Sequence, residues 1–182
     1  MVFEYRRESI GAIAQVCSVT LPVAFSPWIS AKRTRSTCHP HDPRLRICKA
    51  TVPGGVKTRL VPVLGNESAA ALASAMFVDV WSSVTACPGV RPILATTEFR
   101  KFPVEIPADD IWFQGEGDLG VRLERIMTSG LLRAPVKAVG ADSPTLTSSH
   151  IIRALQTLDT NDAVIGPCID GGFYLLSLFA FK

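Results

Sequence analysis

Val139-Gly-Ala-Asp-Ser-Pro144, echoed by Ile165-Gly-Pro-Cys-Ile-Asp-Gly-Gly172, decides the fold of this chain of 182 residues. Both stretches are short apolar runs that end abruptly in an aspartate beside glycine or proline. In an α/β protein this pattern indicates a buried strand that carries a carboxylate at its carboxyl end, where an open sheet binds its ligand. The two stretches therefore predict that Asp142 and Asp170 reach one crevice.

The rest of the chain alternates between strand and helix patterns. The predicted strands are Leu45–Ala50, Val90–Thr97, Ile111–Phe113, Pro135–Gly140, Asp162–Pro167 and Phe173–Phe179. Three helices are expected between them. One is capped by Asn66, one begins within Gln114–Arg122, and one is capped by Thr147. The second has an apolar stripe of Leu119, Leu123, Ile126 and Met127. Strands that alternate with helices predict an α/β sheet flanked by helices, which we place at residues 44–182.

Residues 1–43 have no clear apolar period and are predicted to form a poorly structured extension. Basic residues outnumber acidic ones in the first fifty positions, but no aromatic residues are interleaved with them, so we expect no nucleic-acid partner. No run approaches the ~18–20 apolar residues of a membrane span, so none is expected. The five cysteines are odd in number and lack C-x-x-C spacing, which favours reduced thiols and a cytoplasmic location.

The loop Pro53-Gly-Gly-Val-Lys-Thr-Arg-Leu60 combines a strand break with two cations. Gly54 and Gly55 permit positive φ, so that backbone N–H groups can turn towards an anion, and Lys57 and Arg59 add charge. The spacing is not that of a Walker loop, and a glycine pair alone is a common turn. With the carboxylates of the two strand ends, the loop predicts a metal-assisted phosphate site.

The segment Gln114-Gly-Glu-Gly-Asp-Leu-Gly-Val-Arg122 is a glycine-punctuated start of a helix. Two interpretations of it remain open. Asp118 caps the helix, or the backbone amides of this segment face a nucleotide. His150, in the first turn of the helix capped by Thr147, is interpreted as surface or cap chemistry and is given no catalytic role.

Four motifs, at 53–60, 114–122, 140–144 and 166–176, occur in the order and spacing of a bacterial family, DUF2064 or "transferase 1", which this sequence resembles over about residues 46–179. That family is related to nucleotidyltransferases such as the molybdenum-cofactor and phospholactate guanylyltransferases. The resemblance implies a nucleotide-diphospho-sugar transferase (GT-A) fold, with a Rossmann-like, mostly parallel mixed sheet. This sequence departs from the family pattern in two ways. Family members lack the long N-terminal extension, and they continue beyond the last strand.

By matching motifs, the resemblance also implies the roles of individual residues. Gly54, Gly55, Lys57 and Arg59 would hold nucleotide phosphates, and Gly115, Asp118 and Gly120 would line the base or ribose. Asp142 would bind Mg²⁺ or Mn²⁺, with Asp170 as a second carboxylate near the metal and the acceptor. Lys57, Arg59, Asp142 and Asp170 are thus the candidate catalytic residues.

Three functions follow as hypotheses. The first is metal-dependent nucleotidyl transfer from a nucleoside triphosphate to a phosphorylated small-molecule acceptor, with release of pyrophosphate. The second keeps the fold but transfers a glycosyl group from a nucleotide sugar. The third is a nucleotide-binding protein without turnover. Nothing in the sequence selects a base, an acceptor or an oligomeric state.

Overall fold

The computed structural model describes residues 29–32, 44–48, 57–98, 101–131, 136–169 and 171–178. Their strands are β1 (Ile29–Lys32), β2 (Arg44–Cys48), β3 (Arg91–Thr96), β4 (Ile111–Phe113), β5 (Val136–Gly140), β6 (Asn161–Pro167) and β7 (Phe173–Leu178). Their helices are α1 (Val61–Thr85), α2 (Leu119–Leu131) and α3 (Ser148–Leu158), with 3₁₀ turns at Thr58–Leu60 and Ala108–Asp110.

All seven described strands form one mixed sheet in the order β1-β6-β7-β5-β2-β3-β4. The pairings β5–β2, β2–β3 and β3–β4 are parallel, whereas β7 is antiparallel to both β5 and β6, and β1 is antiparallel to β6. Five strands therefore run in one direction, and only β7 and β1 oppose them. The carboxyl ends of β2, β3, β4, β5 and β6 consequently share one edge of the sheet.

The sheet lies between two helical layers. On one face, the buried stripe of α1 packs with the inner face of α3 against strand residues such as Val139, Val164 and Leu175. On the other face, Leu123 and Met127 of α2 pack against strand residues that include Val136. Alternate residues of β5 thus face opposite layers, as expected for a strand buried on both faces. The predicted α/β class is confirmed.

Helix α1 begins before its predicted cap. Pro62 lies in its first turn, where a missing N–H costs nothing. The helix breaks at Gly65 (φ 77°, ψ 164°) and continues from Asn66, so the predicted start coincides with the second helical segment. By length and composition, the helical stretch Thr58–Thr85 could cross a bilayer, which the sequence interpretation did not anticipate. Its stripe of Ala69, Ala73, Phe77, Val80, Trp81 and Val84 is nevertheless buried in the protein core.

Three further differences concern element ends and pairing. Leu119, predicted to belong to the buried stripe of α2, is 65% exposed because it is the first residue of the helix. Strand β1 lies within the range predicted to be an extension, and the prediction for the remainder of residues 1–43 falls outside the described residues. Strand β7 inserts between β5 and β6, although it follows β6 in the chain.

Candidate functional site

The carboxyl edge of the sheet brings together two residues that the sequence placed in the site. Asp142 lies in the turn after β5, two residues beyond Gly140. The Nζ atom of Lys57 donates to its Oδ2 atom at 2.9 Å, across 85 positions of sequence. The side chains are 26% and 58% exposed, respectively, so both can reach a ligand. The predicted cation and carboxylate therefore meet at one point.

Lys57 has an unusual backbone conformation. It is the one described non-glycine residue with positive φ (49°, with ψ 38°), and it immediately precedes the 3₁₀ turn that leads into α1. A left-handed conformation costs an L-residue roughly 1–2 kcal/mol and is retained mostly at functional sites. Arg59 follows in the 3₁₀ turn and is exposed. The loop thus presents two cations at the start of a helix.

Three of the predicted site residues lie outside the described residues. Gly54 and Gly55 belong to the predicted phosphate loop, and Asp170 is the predicted second carboxylate. Their roles stay predictions.

The glycine-punctuated segment before α2 is held by its own helix. Arg125 donates from Nη1 to the carbonyl oxygen of Gln114 and from Nη2 to that of Glu116, at 3.1 Å for the latter. Gly115 has a φ of 73°, and a Cβ atom there would collide with the Arg125 guanidinium. Gly115 is therefore required by backbone conformation and by close packing of Arg125.

Asp118 acts as a helix cap. Its Oδ1 atom accepts a hydrogen bond from the backbone N–H of Val121 at 2.9 Å, and Gly120 lies in the first turn of α2. This is the usual use of an aspartate at a helix start. The cap explains Asp118 without a ligand, and contact of Gly115, Asp118 and Gly120 with a nucleotide stays a prediction.

Next to the ion pair is a cavity of about 480 Å³. It is lined by residues 142–146, His150, Cys168 and Tyr174, and it lies between the ends of β5 and β6 and the first turn of α3. None of these lining residues is a lysine or arginine. A cavity of this size accommodates a small ligand or part of a larger one.

His150 contributes to this cavity although the sequence interpretation gave it no role in the site. Its Nδ1 atom accepts a hydrogen bond from the backbone N–H of Thr147 at 3.2 Å and lies 2.9 Å from Thr147 Oγ1. Threonine followed three residues later by a side-chain acceptor is the spacing of a capping box, with histidine in place of glutamate or glutamine. The capping-box spacing, a few residues after the motif that contains Asp142, was the sequence signal that could have placed His150 near the site.

Tyr174 forms an aromatic wall of the same cavity. Its ring makes an edge contact with that of His150, with centroids 6.3 Å apart and an interplanar angle of 76°. Burial raises the pKa of Tyr174, and the neighbouring Cys168 raises it further, whereas Arg153 lowers it. The phenol is therefore protonated at neutral pH and can both donate and accept a hydrogen bond.

Gly166 makes room for the Tyr174 ring. A Cβ atom at Gly166 would lie 2.6 Å from Cζ of Tyr174. We expect Gly166→Ala to lower the free energy of unfolding by about 1–3 kcal/mol, because the ring must move away from its present packing. Denaturant unfolding measures this cost. The same substitution in a Tyr174→Ala background should cost much less, and an equal cost in both backgrounds would contradict the contact.

The residues near the ion pair fit a divalent metal only in cooperation with a ligand. Within the part of the chain that the structure describes, no group of three or more His, Cys, Asp or Glu side chains could hold a metal ion. Asp142 offers a hard carboxylate that already contacts a cation, the Lys57 ammonium. Mg²⁺ is typically held by one or two carboxylates, water and substrate phosphates, so Asp142 fits that role.

Comparisons with known proteins agree with this architecture. Residues 90–182, just over half of the chain, match the model of a family described as "Uncharacterized protein conserved in bacteria (DUF2064)". A solved structure of a candidate nucleotide-diphospho-sugar transferase from Desulfovibrio desulfuricans G20 is similar, with a TM-score of 0.66 and 26% sequence identity. The similarity covers 79% of this chain and 66% of that one, so the chain spans slightly less than two thirds of its neighbour. No curated protein matches.

Proposed function

Because the chain belongs to the bacterial DUF2064 family, we propose that it is a metal-dependent transferase whose donor is a nucleotide sugar. The observation that carries the proposal is the position of the cavity. It adjoins the Lys57–Asp142 pair and has no lysine or arginine among its described lining residues. The Lys57 ammonium can bind the phosphates of the donor, and the cavity beside it can bind a neutral sugar ring.

Each residue has a distinct part in this proposal. Lys57 leaves Asp142 and contacts the diphosphate of the donor, with Arg59 adding a second positive charge from the same turn. Asp142, with Asp170 as the predicted second carboxylate, would hold Mg²⁺ or Mn²⁺, which would supply neutralisation of the negative charge on the departing diphosphate. The sugar lies in the cavity against Tyr174.

The candidate nucleotide-diphospho-sugar transferase from Desulfovibrio desulfuricans G20 supports a donor of this class, since the two chains share the fold and 26% of aligned residues. The acceptor is a small molecule of unassigned structure, and we place the reaction in the cytoplasm.

Nucleotidyl transfer is the second candidate. It is favoured by the paired cations of the loop, since Lys57 and the exposed Arg59 suit the pyrophosphate that would leave a nucleoside triphosphate. In that case the acceptor would carry the attacking phosphate, and the cavity would need a cation that its described lining does not supply.

The products distinguish the two reactions. Under the first proposal, incubation with Mg²⁺ and a panel of nucleotide sugars releases a nucleoside diphosphate, slowly where water is the only acceptor. The bond between the anomeric carbon and the phosphate oxygen breaks, and the diphosphate retains the bond electrons. The oxygen of water or of the acceptor hydroxyl forms the new bond to the anomeric carbon and releases its proton to solvent. We expect no pyrophosphate from nucleoside triphosphates mixed with sugar phosphates. Pyrophosphate release that Asp142→Asn abolishes would instead establish nucleotidyl transfer.

A further inference from the structure

We propose that His150 determines specificity for the group in the cavity by donating a hydrogen bond from its Nε2–H to a hydroxyl of a neutral sugar ring. The inference rests on the proposed function, because it places the sugar of the proposed nucleotide-sugar donor in contact with His150. It concerns a residue that neither the sequence interpretation nor the motifs of the family placed there.

The helix cap sets the tautomer of His150. A backbone N–H can only donate, so the Nδ1 atom that receives the Thr147 N–H at 3.2 Å must present a lone pair. The Thr147 hydroxyl, 2.9 Å from the same atom, can donate to it as well. In the neutral imidazole the proton is then on Nε2. The cap therefore converts a side chain that could donate or accept at Nε2 into a fixed donor.

The Nε2 atom of His150 is not used by the helix cap. His150 lines the cavity, and within the described part of the chain its nitrogen atoms have no hydrogen-bond partners other than Thr147 at Nδ1. The ring is held in place from two sides, by the cap and by its edge contact with Tyr174. A donor fixed in orientation loses little conformational freedom when it binds, and so contributes more to selectivity.

The remaining lining points to a hydroxylated ring as the ligand. Asp142 supplies a carboxylate acceptor to the cavity, and His150 supplies a donor. Tyr174 and Leu146 provide apolar surface in the same lining. A sugar ring has apolar C–H faces and hydroxyls that both donate and accept, which matches this distribution. A phosphate in the cavity would meet the Asp142 carboxylate, whose partner Lys57 is not among the described lining residues.

The test uses an isosteric pair of substitutions. Glutamine and glutamate both occur at this position of capping boxes, so His150→Gln and His150→Glu should both keep the cap of α3. With one oxygen used by the cap, glutamine still offers an N–H donor to the cavity, whereas glutamate offers only an acceptor. Thermal unfolding midpoints of the two variants should agree, which shows that the helix start is intact in both.

Affinity is measured with Mg²⁺ for UDP-glucose and GDP-mannose, and for UDP and GDP without the sugar. We expect His150→Glu to weaken binding of the nucleotide sugar that the parent protein prefers by about tenfold, the effect of one lost hydrogen bond. His150→Gln should keep most of that affinity. In both variants the affinity for the matching nucleoside diphosphate should change by much less than tenfold.

Three results would overturn the inference, and they separate it from the proposed function. If both variants bind the nucleotide sugar as the parent does, His150 makes no such contact, while nucleotide binding still stands. If His150→Glu weakens the diphosphate and the nucleotide sugar equally, the effect is that of negative charge near the phosphates. If the parent binds none of these compounds, the proposed function fails together with the inference.

Discussion

Replacement of Lys137 by methionine is expected to stabilise the protein by several kcal/mol at pH 7 and below. Lys137 lies on β5 and is completely buried, on the sheet face covered by α1 and α3. Its Nζ atom has no hydrogen-bond partner among the described residues. Ser177, directly opposite on β7, is also buried, and its hydroxyl likewise lacks a partner there. Two buried polar groups are thus left without the bonds that normally offset their desolvation.

Burial lowers the pKa of Lys137 from 10.5 to about 7. The buried thiol of Cys87 and the carboxylate of Asp159 act in the opposite direction and raise it. Burial also raises the pKa of Cys87, and the neighbouring Lys137 lowers it, so this thiol offsets only part of the cost of burying the ammonium. The charged form of Lys137 is destabilised in the folded protein.

The sign of the pH dependence follows from the two pKa values. Between about pH 7 and pH 10.5 the unfolded chain holds a proton on Lys137 that the folded protein has lost, so stability increases with pH in this range. Below pH 7 both states are protonated and the penalty is at its full size. At 1.36 kcal/mol per pH unit, the shift corresponds to about 5 kcal/mol, which is an upper bound because the fold can relax around the charge.

Denaturant unfolding of the parent and of Lys137→Met, at several values of pH from 6 to 10.5, tests this expectation. The gain from methionine should be largest at pH 6 and should shrink as the pH approaches 10.5. Lys101→Met is the matched control, because Lys101 is exposed and its substitution should change stability by less than about 0.5 kcal/mol. A gain that is independent of pH would mean that Lys137 is not buried as a charged group.

The fold could be predicted largely from local pattern. Strands β3, β5 and β6 are largely apolar runs with glycine or proline near at least one end, and their predicted bounds agree with the observed ones to within one residue. The insertion of β7 between β5 and β6 could not be predicted, because pairing partners are chosen by three-dimensional packing and not by the strand itself. The position of Lys137 was also unexpected, since a strand with a central lysine normally has a solvated face.

For the site, residue type could be predicted but contacts could not. Asp142 and Lys57 were identified because glycine and proline mark the ends of strands and loops where ligands bind. Their direct ion pair joins positions 85 residues apart and depends on a left-handed lysine, which no propensity favours. Cap chemistry was expected for His150, but its place in the cavity wall appears only when α3 is packed beside β6 and β7.

Loss of the Asp142 carboxylate is expected to have the largest effect on ligand binding. Asp142→Asn should weaken Mg²⁺-dependent nucleotide binding by about a hundredfold or more, because a close charged partner is removed. The folded protein should be almost unaffected, since an ion pair that is half-exposed contributes about 1 kcal/mol or less. Isothermal titration with and without EDTA measures the first effect, and denaturant unfolding measures the second. Asp79→Asn is the matched control, because it removes the same negative charge from an exposed position on α1.

Lys57→Met is expected to change the affinities for metal and for nucleotide in opposite directions. The ammonium lies 2.9 Å from the Asp142 oxygen and competes there with any other cation. Without it, the free protein should bind Mn²⁺ more tightly, while the nucleotide, which loses a phosphate contact, should bind about tenfold more weakly. Parallel changes in both affinities would mean that metal and ammonium do not share Asp142. Opposite changes would show that the ion pair opens when the nucleotide binds, so that Lys57 exchanges a carboxylate for a phosphate.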